Sequence, residues 1–244
     1  TQIPEETIQA VAAELLAERL GSGTDAADLE EALKGFDGFV NNYCWVKNNR
    51  TGETSRAQEW PGQIKLRQAI QAHQKVIGLK SRGVGWTWET IFYSLYLMGR
   101  QNILVLYMCQ RQENSFAYVE RVKWLRNILE ENCGYPKMAA DGNAARHLKL
   151  VNGSQILALP RKPDSMRSHH ARLVIVDEWP EIEYAALPSV MGTIGDEGQV
   201  IGIGTAKGPF GEFYETYRDA MMGGPLKHFV RVFSPWTDCP LYHE

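Results

Sequence analysis

This chain of 244 residues lacks several features that would place it in a specialised class of proteins. Its four cysteines are scattered, with no pair at CxxC spacing, which indicates reduced thiols rather than a disulfide framework or a zinc site. No apolar run reaches the ~18 residues of a membrane span, and the N-terminus has no apolar signal segment. The formal net charge is only −3, so composition alone indicates neither a nucleic acid nor a membrane partner.

Apolar runs of strand length alternate with helical patterns over most of the chain. The strand-like runs are 75–79, 103–108, 173–176, 200–204 and 229–233. Asn152-Gly153 predicts a hairpin between 147–150 and 155–159. Helical patterns cover about 63–72, 88–98 and 114–131, and two more, at 4–20 and about 25–40, come near the N-terminus. Residues 47–59 are polar and typical of a loop or hairpin. The sequence therefore predicts an α/β fold with a mostly parallel sheet covered on both faces, preceded by a small helical appendage over residues 1–37.

A glycine-rich segment directly follows the first of these runs. It consists of Lys80, Ser81, Arg82, Gly83, Val84, Gly85, Trp86 and Thr87. The pattern is close to the phosphate loop GxxxxGK[ST], but Trp86 stands where the lysine is usual, and Lys80 stands at the start. Backbone amides around Gly83 and Gly85 can turn toward a phosphate at the start of the next helix, and Thr87 can offer a hydroxyl to Mg²⁺. Taken alone, such a segment is more often a glycine-rich turn between a strand and a helix that binds no ligand, because short motifs have many false positives.

A pair of carboxylates ends the apolar run 173–176. Asp177 and Glu178 would lie at the carboxyl end of a buried strand, which is where ligands bind in open α/β sheets. We expect Asp177 to hold Mg²⁺ and Glu178 to polarise an attacking water. An acidic surface turn is the alternative for this pair alone, but the two motifs in this order favour an ATPase.

At these residues the chain resembles the ATPase domain of the large terminase subunit, the motor that packages DNA into phage and herpesvirus capsids. The resemblance runs from about Gly38 to the C-terminus, and the family often uses a deviant Walker A motif with its lysine at the start. It implies a P-loop NTPase fold of the RecA/ASCE type over residues 38–244. It also implies that the C-terminal nuclease domain of full-length terminases is absent from this chain, so that this fragment should not cut DNA.

The resemblance implies a role for several further residues. Trp60-Pro61-Gly62-Gln63 is similar to the Q motif, which makes Gln63 the candidate for contact with the adenine edge. Arg82 corresponds to a loop arginine that contacts the γ-phosphate. Gly204-Thr205-Ala206-Lys207-Gly208 is similar to the coupling motif, and Thr205 would sense the γ-phosphate. The family's arginine finger comes from a neighbouring subunit, and by position alone the candidates are Arg111, Arg161, Arg167 and Arg172.

The resemblance also implies the surroundings in which such a motor works. The cofactors would be ATP and Mg²⁺. The partners would be double-stranded DNA, the portal protein, the small terminase subunit and further copies of the chain in a ring on the capsid, with a monomer in solution. The location would be the host cytoplasm, without secretion or membrane insertion. The locally basic stretch 161–172 could face DNA or a neighbouring subunit, although a solvated basic loop explains it equally well.

Two other functions fit part of this pattern. A superfamily 2 helicase-like ATPase shares the Q motif and the Asp-Glu pair, but it needs a second RecA-like domain for which this chain is too short. A nucleotide-binding assembly module without turnover would explain the missing lysine at position 86 but leaves Glu178 without a purpose.

Overall fold

The computed structural model describes residues 35–48, 51–159, 169–182 and 186–240. In these residues the helices are α1 Phe36–Tyr43, α2 Pro61–Ala72, α3 Trp86–Arg100, α4 Gln112–Cys133, α5 Ala186–Ile194 and α6 Gly211–Met222. The strands are β1 Trp45–Lys47, β2 Thr54–Arg56, β3 Lys75–Lys80, β4 Leu104–Cys109, β5 Met138–Ala144, β6 His147–Leu150, β7 Gln155–Leu159, β8 Leu173–Asp177, β9 Gln199–Gly204 and β10 Val230–Ser234. Short 3₁₀ turns cover Trp179–Glu181 and Trp236–Asp238.

Eight of these strands form one sheet in the order β10-β3-β9-β8-β4-β7-β6-β5. The pairs from β10 through to β7 are parallel, and only β6 pairs antiparallel with β7 and β5. The predicted mostly parallel sheet and the hairpin at Asn152-Gly153 are therefore confirmed. Strands β1 and β2 form a separate antiparallel hairpin, one of the two possibilities that the polar stretch 47–59 allowed.

Alternating side chains of the central strands build a core on each face of the sheet. On one face Val76, Ile175 and Ile201 pack in a cluster with α1, α2, α3 and α4. On the other face Ile77, Val176 and Val200 pack in a cluster with α5 and α6. Because both faces are covered, the central parallel strands β4, β8 and β9 are apolar and buried along almost their whole length, as the sequence predicted. No helix among the described residues is long and apolar enough to serve as a membrane span.

The N-terminal helical patterns lie outside the described residues, except for the end of the second. There the structure corrects the predicted continuous helix over about 25–40, because Gly35 has φ +127° and α1 begins only at Phe36. Phe36 packs edge-on against Tyr93 of α3 at 5.1 Å. The proposed boundary at residue 38 falls inside α1, a helix that contributes to the core of the sheet domain.

A buried ionic network fixes the position of α3. The Arg67 guanidinium, 1% exposed, binds both oxygens of Glu89 in α3 at 3.1 and 3.0 Å. It also pairs with Glu59 at 2.8 Å and with Asp37 of α1 at 3.4 Å. Burial raises the pKa of Glu89, while Arg67 acts in the opposite direction. Since the buried Glu89 charge would be uncompensated without Arg67, the pair holds α2 and α3 in one arrangement.

Candidate active site

The parallel strands place the predicted motifs at one edge of the sheet. Lys80, Asp177 and Gly204 are the last residues of β3, β8 and β9, which are neighbours in the order β3-β9-β8. The carboxyl ends of parallel strands all face the same way, so the glycine loop, the carboxylate pair and the coupling motif converge there.

The glycine loop has the backbone of an anion site. Gly83 and Gly85 adopt φ +78° and +77°, and Gly85 stands immediately before the 15 residues of α3. In this conformation the first amides of the helix point out of its N-terminus, which favours negative charge. Among the described residues, no protein group accepts a hydrogen bond from Lys80 Nζ. The positive charge of Lys80 lowers the pKa of Asp177, against the effect of burial. Arg82 lies at the exposed tip of the loop.

The indole of Trp86 packs beneath the loop. The indole is 1% exposed, and its Nε1 donates to the carbonyl oxygen of Gly62 at 2.7 Å. A Cβ at Gly78 of β3 would lie 2.4 Å from the ring, so the missing side chain makes the space for it. The side chain therefore anchors the start of α3 to β3 and α2, and only the backbone of Trp86 is placed to meet a phosphate.

We expect Trp86→Lys, which restores the usual motif, to destabilise the protein rather than improve phosphate binding. The substitution removes a large buried ring and puts a charge in its place, at a cost of about 4 kcal/mol or more. Trp86→Phe keeps a buried aromatic ring and loses only the hydrogen bond to the Gly62 carbonyl oxygen. It should therefore cost less, about 1–3 kcal/mol. Chemical denaturation measures both, with the exposed Trp236→Phe as control. A Trp86→Lys protein of native stability would contradict this assignment.

Thr87 and Asp177 are in direct contact. Thr87 Oγ1 donates to Asp177 Oδ2 at 2.9 Å, across 90 residues of sequence. Tyr107 of β4 donates to the same oxygen at 3.2 Å, and the Glu178 amide donates to Oδ1 at 2.9 Å. Burial raises the pKa of Asp177, whereas Lys80 and the Thr87 hydrogen bond act to lower it. The contact brings together a hydroxyl and a carboxylate oxygen, the hard donors that Mg²⁺ prefers.

Glu178 is exposed and held in an unusual backbone conformation. Its φ of +52° is the only positive value at a non-glycine position among the described residues, a strain that is frequent at functional positions. Its Oε2 accepts hydrogen bonds from Asn114 Nδ2 at 3.1 Å and from Cys109 Sγ at 3.3 Å. Burial raises the pKa of Cys109 to about 12, so the thiol stays protonated and remains a donor. Both contacts fix the direction of the carboxylate.

The turn after Glu178 is packed flat against the glycines of β9. A Cβ at Gly202 would lie 2.1 Å from the Trp179 ring, and one at Gly204 would lie 2.1 Å from Pro180 Cδ. Lys207 Nζ also pairs with Glu181 at 2.6 Å. Thr205, half-buried directly after β9, thus lies in a segment that touches the carboxylate turn. Because of these contacts, a movement of either segment would also displace the other.

A second carboxylate supports this turn from α6. Glu212 accepts hydrogen bonds from Trp179 Nε1 at 3.1 Å and from the Leu187 amide at 3.0 Å. Burial raises the pKa of Glu212 to about 7 from its ordinary value of 4.5, against the opposing effect of these hydrogen bonds. It joins α5, α6 and the residue that follows Glu178.

This raised pKa predicts that the stability of the protein falls as the pH rises from about 4.5 to about 7. In this window the folded state keeps a proton on Glu212 that the unfolded chain has already released. The free energy of unfolding therefore decreases as the pH rises. Allowing for solvent screening, we expect a decrease of about 2–4 °C in the unfolding midpoint. Calorimetry should show a smaller decrease in Glu212→Gln, with the exposed Glu131→Gln as control. An identical pH dependence in native protein and Glu212→Gln would refute the assignment.

The structure places the remaining candidates in different settings. Gln63 is buried at 5% exposure, with its Oε1 accepting from the Trp60 amide at 3.2 Å. Arg111 is exposed just after β4, at the carboxyl edge. Arg172 precedes β8, at the opposite edge, where it donates to the Glu197 carbonyl. Arg161 and Arg167 lie outside the described residues.

Sequence reasoning missed the side chains that hold the two carboxylates. Tyr107 lies in the apolar run 103–108, Cys109 directly follows it, and Asn114 begins the helical pattern 114–131. The one available signal was a hydroxyl and a thiol near the carboxyl end of a buried strand. The structure also shows no group of three or more His, Cys, Asp or Glu side chains placed to hold a metal ion within the part of the chain that it describes.

Several solved structures with a similar fold are phage large terminases or their ATPase domains. The large terminase of bacteriophage HK97 matches 81% of this chain at a TM-score of 0.63 and 15% identity, and 43% of that protein is covered. The large terminase ATPase domain of Thermus phage P74-26 matches 76% of this chain at 0.57 and 16% identity, with 85% of that domain covered. The large terminase of the thermophilic bacteriophage D6E, in complex with ATP-gamma-S, matches 75% at 0.56 and 13% identity, with 46% covered.

Neither a protein-family model nor a curated protein matches the sequence. The chain spans less than half of the HK97 and D6E proteins. The similarity of fold therefore does not assign the activities of those complete proteins to this chain. The likeness confirms the predicted fold class: this chain has the P-loop NTPase fold of the phage large terminase ATPase domains.

Proposed function

We propose that this chain hydrolyses ATP as the motor domain of a large terminase that moves DNA into a viral capsid. The observation that carries the proposal is the contact between Thr87 and Asp177 at 2.9 Å, with Glu178 next to it and the glycine loop before it. It brings a phosphate loop and a carboxylate pair to the same point, which neither motif alone would require.

The phosphates of ATP would bind at the start of α3. Backbone amides of the residues from Arg82 to Thr87, including Val84 and Trp86, would surround the β-phosphate, whereas the Ser81 amide already donates to the carbonyl oxygen of Ser234. Lys80 would supply the charge that the loop lacks at position 86. Since no protein acceptor occupies Lys80 Nζ among the described residues, binding requires no ion pair to break. Arg82 would approach the γ-phosphate from the tip of the loop and stabilise charge in the transition state.

Thr87 and Asp177 would hold Mg²⁺ together with phosphate oxygens. Their hydroxyl and carboxylate oxygens suit an ion that usually keeps several waters and takes one or two protein ligands. When bound, the ion would neutralise charge on the β- and γ-phosphates. Tyr107 and the Glu178 amide keep the Asp177 carboxylate in position for this role.

Glu178 would orient and polarise the water that attacks the γ-phosphate. Positioning and charge stabilisation carry most of the catalysis in phosphoryl transfer, so the direction of this carboxylate matters. Asn114 and Cys109 set that direction in the structure. Thr205 would sense the loss of γ-phosphate, and its segment contacts the turn after Glu178 through Pro180 and Lys207.

The partners proposed are those of a packaging motor: double-stranded DNA, the portal protein, the small terminase subunit and further copies of the chain in a ring. The names of the similar structures support this assignment, because they are large terminases and one was solved with ATP-gamma-S. An arginine from a neighbouring copy would complete the site, and Arg111 is a described candidate at the right edge. Such an arginine contributes about 10³–10⁵ in rate, so the isolated chain should be slow.

Phosphate release with Mg²⁺ and ATP, over a range of protein concentrations and with and without duplex DNA, tests the proposal. We expect slow turnover that rises with protein concentration and with DNA. Binding of ATP without any turnover, even where copies associate, would instead support the assembly module. Strand separation coupled to turnover would favour the helicase-like function.

A further inference from the structure

The start of α2 lies directly against the start of α3. The carbonyl oxygen of Gly62 accepts a hydrogen bond from Trp86 Nε1 at 2.7 Å. Further along α2, the Arg67 guanidinium binds a buried carboxylate of α3 at 3.1 and 3.0 Å. Between these two contacts, the side chain of Gln63 meets Gly85, the residue immediately before α3. The first turns of the two helices therefore pack as one unit next to the phosphate loop.

The Gln63 side chain fills the space that a side chain at position 85 would occupy. A Cβ at Gly85 would lie 2.2 Å from Gln63 Nε2 and 3.3 Å from its Cδ, so the amide group packs onto the glycine itself. Gly85 has φ +77°, in a region that glycine populates about as readily as negative φ. Contact with the Gln63 amide restricts this freedom and favours the conformation that the structure shows.

The Gln63 amide is also held from the other side. Its Oε1 accepts a hydrogen bond from the Trp60 amide at 3.2 Å, and the residue is only 5% exposed. The Trp60 carbonyl oxygen in turn accepts from the backbone amides of Gln63 and Ile64 at 2.9 and 3.0 Å, in the first turn of α2. The start of α2 thus orients the side-chain amide with its nitrogen toward Gly85, and little of its surface remains for a ligand.

The conformation of Gly85 decides what the loop offers to a phosphate. Its carbonyl oxygen accepts from the amides of Trp88 and Glu89 at 2.9 and 3.3 Å. The amides of Trp86 and Thr87, which come before them, are the ones that a helix start leaves to an external acceptor. They keep this direction only while the backbone of Gly85 stays left-handed. A loop that is already held in this form loses less conformational freedom on binding, which increases its affinity.

We propose that Gln63 is a positioning residue of the phosphate loop, which acts through Gly85 on the amides that bind phosphate, and that it does not contact the adenine edge. The inference deepens the proposed function and rests on it, because it concerns the same loop. Recognition of adenine by a glutamine requires hydrogen bonds from its side-chain amide, whereas the amide of Gln63 is buried between Trp60 and Gly85. Gln63 should therefore contribute to phosphate affinity without distinguishing one base from another.

Binding measured by calorimetry with Mg²⁺ tests this assignment, with ATP, GTP and inorganic tripolyphosphate as ligands. We expect Gln63→Ala to weaken the binding of all three equally, by about 5–30-fold, since about one more backbone residue must be fixed on binding. Gln63→Met should recover most of this affinity, because it restores the volume next to Gly85 without an amide. A residue that contacts adenine would give another pattern, in which only ATP binds more weakly and Gln63→Met resembles Gln63→Ala.

Gln68→Ala is the matched control, because Gln68 is an exposed glutamine of the same helix. It should bind all three ligands like the native protein. If Gln63→Ala binds them as tightly as Gln68→Ala does, or loses affinity for ATP alone, the positioning role is refuted while the ATPase proposal stands. Native protein that binds neither ATP nor tripolyphosphate would overturn the ATPase proposal itself.

Thermal unfolding of each variant shows whether it is folded at the temperature of the titration. If Gln63→Ala does not fold, Gln63→Met decides between the two roles. An unchanged ratio of ATP to GTP affinity in Gln63→Met supports the positioning role, because this variant has no amide with which to contact a base. A selective loss of ATP affinity in Gln63→Met refutes it.

Discussion

Glu178→Gln is expected to bind ATP like the native protein and to hydrolyse it about 10²–10⁴ times more slowly, the usual contribution of a general base. The amide keeps the size of the side chain and an oxygen that can accept from Asn114 and Cys109, so the resting geometry should survive. What it loses is the negative charge that polarises water. Phosphate release at saturating ATP, together with a binding isotherm, separates the two effects.

The neighbouring glutamate Glu113→Gln serves as the control, since Glu113 is exposed in the first turn of α4, one residue before Asn114. It alters the charge at the same edge of the sheet without touching Asp177. Glu178→Gln with turnover close to that of Glu113→Gln would show that another group activates the water. Loss of ATP binding in Glu178→Gln would mean that this side chain has a structural role in the loop.

The parts of the fold that the sequence predicted are those that depend on local patterns. The runs at 76–79 and 173–176 are apolar without interruption, because strands covered on both faces need no polar side. The edge where their ends meet then follows from the parallel arrangement. Strand β5 was missed because it contains Asp141, Gly142 and Asn143, residues that are rare in strands.

The parts that could not be predicted depend on contacts between distant segments. Trp86 looks like a defect in a phosphate loop until Gly62 and Gly78 are known to surround it. Asn114 reaches Glu178 across 64 positions, and Glu212 reaches Trp179 across 33. A pattern of neighbouring residues contains no information about such pairs, so they emerge only once the sheet order is fixed.

Lys80→Ala is expected to reduce turnover by about 10²–10³, the usual cost of removing one donor that stabilises the charge of a transition state. The usual lysine position cannot compensate, because Trp86 is buried and bonded to Gly62. Lys80 is at the end of β3, on the same edge of the sheet as Asp177, and among the described residues it has no protein acceptor of its own. Its removal should therefore affect phosphate binding and turnover with little change in stability.

Lys75→Ala is the matched control, because Lys75 begins the same strand and lies at the opposite edge of the sheet. It removes the same charge from the protein at a distance from the loop. Lys80→Arg should restore part of the activity, since it returns the charge but not the compact ammonium geometry. If Lys80→Ala and Lys75→Ala hydrolyse ATP equally well, the positive charge on the phosphates comes from elsewhere. Arg82 would then be the first residue to test, because it is the only other cationic side chain within the loop itself.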